Sequence, residues 1–109
     1  MPTTYKVLGQ SNPSATTATT LYTVPSATAT VVSTITICNQ ASTAGTFRVA
    51  VRPAGATLAA QHYVAYDTPI AANDTIALTL GVTLATTDVI TVYASSANMS
   101  FNAYGSEIS

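Results

Sequence analysis

Residues 31–52 read VVSTITICNQASTAGTFRVAVR, two runs dense in β-branched side chains around a short polar segment that contains Gly45. β-branched residues lose side-chain freedom in a helix and pack well on a pleated surface, so this stretch is restricted to strands. The few small polar residues between the runs predict a hairpin. An all-β domain is expected to grow around it.

Alternation assigns faces to these strands. In the first run Val31, Ser33, Ile35 and Ile37 share one face, and Val32, Thr34, Thr36 and Cys38 the other. Both faces are apolar, which predicts the middle of a sandwich sheet or a protein partner on the second face. In the second run Phe47, Val49 and Val51 are predicted to face the core, while Arg48, Ala50 and Arg52 face away.

The rest of the chain repeats this pattern at short spacing. TYKVLG predicts a first strand stopped by Gly9, and TLYTVP a second stopped by Pro25. The Ala-rich residues 54–60 allow one helical turn, too short to persist alone. QHYVAYD predicts an aromatic strand, and Ile76, Leu78 and Leu80 alternate with Thr75, Ala77 and Thr79 along a half-buried strand stopped by Gly81. Residues 82–87 read as a connection in which Leu84 anchors to the core. DVITVYAS and then NMSFNAYGSE close the domain. Seven to eight short antiparallel strands without a helical pattern predict a β-sandwich, immunoglobulin-like or jelly-roll-like, in one domain spanning 1–109. No Cys-Trp-Cys spacing marks an antibody-type domain.

Composition narrows the function. Charged residues make up 6% of the chain, against about 25% in ordinary soluble proteins, and the formal net charge is -1. Copies of such a chain repel one another weakly, so it is expected to associate as a homo-oligomer, for which a trimer or hexamer is a natural form. Three Lys and Arg residues cannot form the basic stripe that phosphate neutralisation needs, which argues against nucleic acid as a partner. The N-terminus lacks the charged start and apolar block of a secretory signal, and no run is long enough to span a bilayer. Synthesis in a cytoplasm, with no membrane partner, is the expectation.

Catalytic and cofactor chemistry have no foothold in the motifs. His62 is the only histidine, no serine sits in a Gly-x-Ser-x-Gly elbow, and the chain is expected not to be an enzyme. The lone Cys38, next to Ile37, reads as a small buried core residue. Asp67, Asp74 and Asp88 read as turn and strand-start acids rather than as a calcium site, so no metal and no cofactor are expected. The candidate functional residues are an interface set. Arg48 and Arg52 share one strand face and suit carboxylate or carbonyl partners, and Tyr63 and Tyr66 suit protein or sugar, although a regular strand would place the two tyrosines on opposite faces.

The stretches YKVLGQ, TTLYTVP, VVSTITICN, TFRVAVRPAG, HYVAYD through PIAANDT, LGVTLATTDVITVYA and SFNAYGSEI, taken in order, resemble the small β-rich virion structural proteins of tailed bacteriophages, cyanophage-like ones in particular. The resemblance spans most of the chain and implies a virion component made in the host cytoplasm. It implies a capsid decoration (cement) protein whose partners are other virion proteins, the major capsid or tail protein. The alternative that it implies is a tail, baseplate or fibre-associated module that binds a host glycan or another tail subunit.

Overall fold

The computed structural model describes residues 2–109, and these fold as nine strands with no long helix. The strands are β1 (Thr3–Ser11), β2 (Thr19–Thr23), β3 (Ala29–Asn39), β4 (Gly45–Arg52), β5 (Tyr63–Ile70), β6 (Thr75–Leu78), β7 (Val82–Leu84), β8 (Val89–Ala94) and β9 (Met99–Ile108). Single 3-10 turns at Pro53–Gly55 and Ala60–His62 replace the helical turn expected in the Ala-rich segment.

Two antiparallel sheets form, one in the order β1-β9-β3-β6 with β7 also on β3, the other in the order β2-β8-β4-β5. β6 and β7 both run antiparallel to β3 and act as one interrupted strand. With that pair counted once, the partners nest: first with last, second with next to last, and so inward to β4 with β5. A long hairpin ribbon rolled into two sheets is the jelly roll, so of the two sandwich types expected this is the one present.

The central hairpin does not form. β3 and β4 lie in opposite sheets, because β3 has both edges taken by β9 and the β6–β7 strand, and β4 has both taken by β8 and β5. Residues 40–44 instead arch across the sandwich. Asn39 holds the arch: its buried amide donates to the carbonyls of Thr43 and Ala71 at 3.0 and 3.1 Å, and its Oδ1 accepts the Ala41 N–H at 3.0 Å.

A bulge also corrects the face assignment in β3. The register with β9 shifts between Val32 and Thr34, which leaves Ser33 as the extra residue. Alternation restarts beyond it, so Val32 joins Ile35 and Ile37 in the core while Val31 turns outward. Cys38 follows the outward set and is half-buried on the sheet's outer face, not in the core. Leu80 lies beyond the end of β6 and is exposed. Between the sheets, Phe47 and Phe101 meet edge to face with centroids 6.3 Å apart, and Ile90, Val92 and Met99 complete a dry centre. Leu84 anchors to this core as expected, but from the three-residue strand β7 rather than from a loop.

At one end a polar relay closes the sandwich. The Tyr22 hydroxyl donates to Glu107 Oε2 at 2.5 Å and lies 2.8 Å from Thr30 Oγ1, and Lys6 reaches Glu107 Oε1 at 3.2 Å. Burial, then the Glu107 hydrogen bond, pushes the Tyr22 phenol from 10.0 to about 12. The Tyr22 hydrogen bond in turn holds Glu107 below its ordinary 4.5. A raised phenol stabilises the fold below pH 10.0, and that contribution is lost as pH rises toward about 12. A lowered carboxyl stabilises it above 4.5, a contribution lost as pH falls through the native value. Equilibrium unfolding against pH is therefore expected to fall off at both ends; Tyr22→Phe should flatten the alkaline limb, and Glu107→Gln the acid one. An unchanged alkaline limb in Tyr22→Phe would refute the assignment.

Candidate functional site

The four residues singled out in the sequence all lie on the outer face of the second sheet, and three of them, Arg48, Tyr63 and Tyr66, come together there. Arg48 leaves β4 away from the core, and its guanidinium lies 4.2 Å from the ring centroid of Tyr66 and 4.2 Å from that of Tyr93. Tyr66 in turn meets Tyr63 edge to face at 4.8 Å. The result is a continuous column, Tyr93, Arg48, Tyr66, Tyr63, across three strands.

Bulging explains why Tyr63 and Tyr66 share a face where a regular strand would separate them. The β4–β5 register shifts twice, between Phe47 and Val49 and again between Val49 and Ala50, so Val64 becomes an extra, exposed residue. Ala65 then points to the core with a tyrosine on each side of it outward. Asp67 adopts a left-handed conformation at φ 46°. From there its carboxylate takes a two-pronged ion pair from Arg48, Nε to Oδ1 at 2.6 Å and a terminal nitrogen to Oδ2 at 3.3 Å. These hydrogen bonds hold the Arg48 guanidinium above its ordinary value.

Arg52 serves the fold more than the surface. Its Nε donates to Thr91 Oγ1 at 3.0 Å, and one terminal nitrogen donates to the carbonyls of Gly55 at 3.3 Å and Ala56 at 3.0 Å, which clamps the turn after β4. With the Arg48 and Arg52 stems across it, Ala50 between them is buried although it lies on the outer side. The two arginines are thus partnered within the chain, and the exposed part of the site is apolar: the Tyr66 ring is 56% exposed and the Val64 side chain beside it 48%. Beside them Leu58, Ala59, Ala60, Tyr63 and Tyr66 line an open hollow of about 610 Å³.

The other candidates have structural partners. His62 is buried, and its Nδ1 accepts the Ala59 N–H at 3.0 Å, which holds the 3-10 turn before β5. Asp88 accepts the N–H groups of Ala54 and Ala85, each at 2.9 Å, and Asp74 accepts that of Thr75 at 2.8 Å. Sequence reasoning missed Tyr93 and the ion-pair role of Asp67. The signal for Tyr93 is its outward phase in DVITVYAS, which gains meaning only once β8 is known to neighbour β4.

Compared with models of known families, with curated proteins and with solved structures, the chain matches none.

Proposed function

We propose that the chain is a structural component of a bacteriophage particle, a capsid decoration or cement protein that docks onto a shell or tail protein through the outer face of its second sheet. The observation that carries this reading is the Tyr93, Arg48, Tyr66, Tyr63 column. Tyrosine and arginine dominate the residues that contribute most at protein interfaces. Here they are already ordered by stacking and by Asp67, so binding fixes few additional side chains. The resemblance set out above and the jelly-roll architecture, which viral capsid and lectin domains share, support the same reading, although fold alone does not fix function.

The hollow beside Tyr63 and Tyr66 supports a second reading, a tail or fibre module that binds a host glycan, since a groove of this volume with aromatic walls suits a sugar ring. One variant tests both readings. Tyr66→Ala removes an exposed ring, one cation–π contact and the edge contact with Tyr63, so its effect on stability is expected to stay within about 2 kcal/mol. Quantitative mass spectrometry of density-purified particles is expected to find many copies of the wild-type protein and at least tenfold fewer of Tyr66→Ala. Absence of the wild-type protein from particles overturns the virion reading; normal incorporation of the variant with loss of glycan binding moves the site to the second reading. Arg48→Glu with Arg52→Glu is the weaker test, because both arginines also hold the fold.

A further inference from the structure

Among the described residues, the outer face of the first sheet carries no Asp, Glu, Lys or Arg. Pairing registers fix which side chains share it: Tyr5 and Val7 from β1, Asn102 and Tyr104 from β9, Thr36 and Cys38 from β3. Lys6 and Glu107 fall on the opposite side of the same strands, and Arg48, Arg52 and Asp67 belong to the second sheet. Val7 and Tyr104 are direct cross-strand partners, and Tyr5 stands two residues along on the same face. These three are 47%, 37% and 84% exposed, so apolar and aromatic surface is gathered at one end of the face. The remainder is mostly threonine, serine and amide, with Val31, Ala77 and Cys38 as small apolar members; Gln10 Nε2, for example, donates to Asn102 Oδ1 at 2.8 Å.

We propose that this face is covered by the same face of a second copy of the chain, packed about a two-fold axis. Charge decides in favour of a copy. Hydroxyl and amide side chains each carry donor and acceptor, so a surface made of them is complementary to itself, whereas a charged patch repels its own image. A partner selected by charge would have nothing to read here.

The edges leave the faces as the remaining route to association. β1 is offset by a bulge between Val7 and Gly9, β2 by one between Thr20 and Tyr22, β5 by two shifts and Pro69, and the β6–β7 edge breaks at residues 79–81. Interrupted edges resist strand addition. Four strands about 4.8 Å apart and about 30 Å long give a footprint of roughly 600 Å² per copy, or about 1,200 Å² for the pair, the lower bound for a specific interface. Such a dimer leaves both aromatic columns pointing away from its centre.

The test is light scattering at about 100 µM, where a dimer of micromolar affinity is nearly complete, together with maleimide labelling of Cys38, the only cysteine and one that lies on this face. An apparent mass twice that of one chain is expected, with Cys38 labelling slowed several-fold as concentration rises. Val7→Lys, at an exposed site, should give a folded monomer by circular dichroism with concentration-independent labelling, while Tyr66→Ala on the other face should remain dimeric. A monomer at that concentration, a dimer that survives Val7→Lys, or unprotected Cys38 in the dimer overturns the proposal. Incorporation into particles does not enter this test, so it and the docking reading stand or fall separately.

Discussion

Gly105→Ala is expected to destabilise the protein by more than about 3 kcal/mol, near the upper end of what single substitutions do. Gly105 sits on the inward side of β9 opposite Val32. A methyl group there would collide with the Val31 carbonyl oxygen and approach both the Val31 carbonyl carbon and Val32 Cα at 3.0 Å. These are backbone atoms of the neighbouring central strand at the bulge, so no side chain can rotate to make room. Gly81 is the control: its φ of +62° is strained for alanine but the space around it is open, and about 1 kcal/mol is expected. Denaturant midpoints of the two variants decide the matter, and a Gly105→Ala loss no larger than that of Gly81→Ala would sink the argument.

The second large effect is expected at Asn39. Asn39→Leu keeps roughly the same volume but strands the Ala41 N–H and the Thr43 and Ala71 carbonyls, which now share one amide. Groups deprived of a partner in a part-buried site cost about 1 kcal/mol or more each, so a loss of about 3 kcal/mol is expected. Asn39→Asp separates donor from acceptor. It keeps the acceptor for Ala41 but turns a carboxylate toward two carbonyls, which disfavours the charged form and raises its pKa on folding. Stability of this variant should therefore be greatest at acid pH and fall as pH rises through the raised value. Urea unfolding at pH 4 and pH 7 tests this; equal losses at both would show that the arch does not depend on the amide's donors.

Much of this fold is legible in the chain because strand identity is a local property. The β-branched runs, the stop at Pro25, and the alternation of Met99, Phe101 and Ala103 are all satisfied by the structure, whereas the strand expected to reach Gly81 ends at Leu78. What alternation cannot express is a change of phase. Ser33 and Val64 each add one residue to a strand, and each sends the side chains beyond it to the opposite face. Nothing about either residue type announces this, since a bulge is selected by the partner strand. The same limit explains the hairpin. Short polar connections suit arches and hairpins alike, and the choice between them was made by β8 and β9, far along the chain. The site residues Arg48, Tyr63 and Tyr66 were visible as types, whereas their column required the β4–β5 bulges and the β4–β8 pairing. Tyr5, Val7 and Tyr104 were each visible as apolar, but their union depends on β1 meeting β9.

Nested pairing also constrains the order of events in time. β9 lies between β1 and β3, so the first sheet has no centre until the final strand is present. A nascent chain leaving the ribosome carries β1 and β3 for most of its synthesis with no partner between them, and the domain can close only after translation has passed residue 108. Long loops must be closed before the reward arrives, which places folding on the slow side, in the millisecond to second range. During that interval the run VVSTITIC is an exposed, uncharged strand. Yield of folded protein should therefore respond to expression rate, temperature and the supply of holding chaperones more than to any residue on the finished surface.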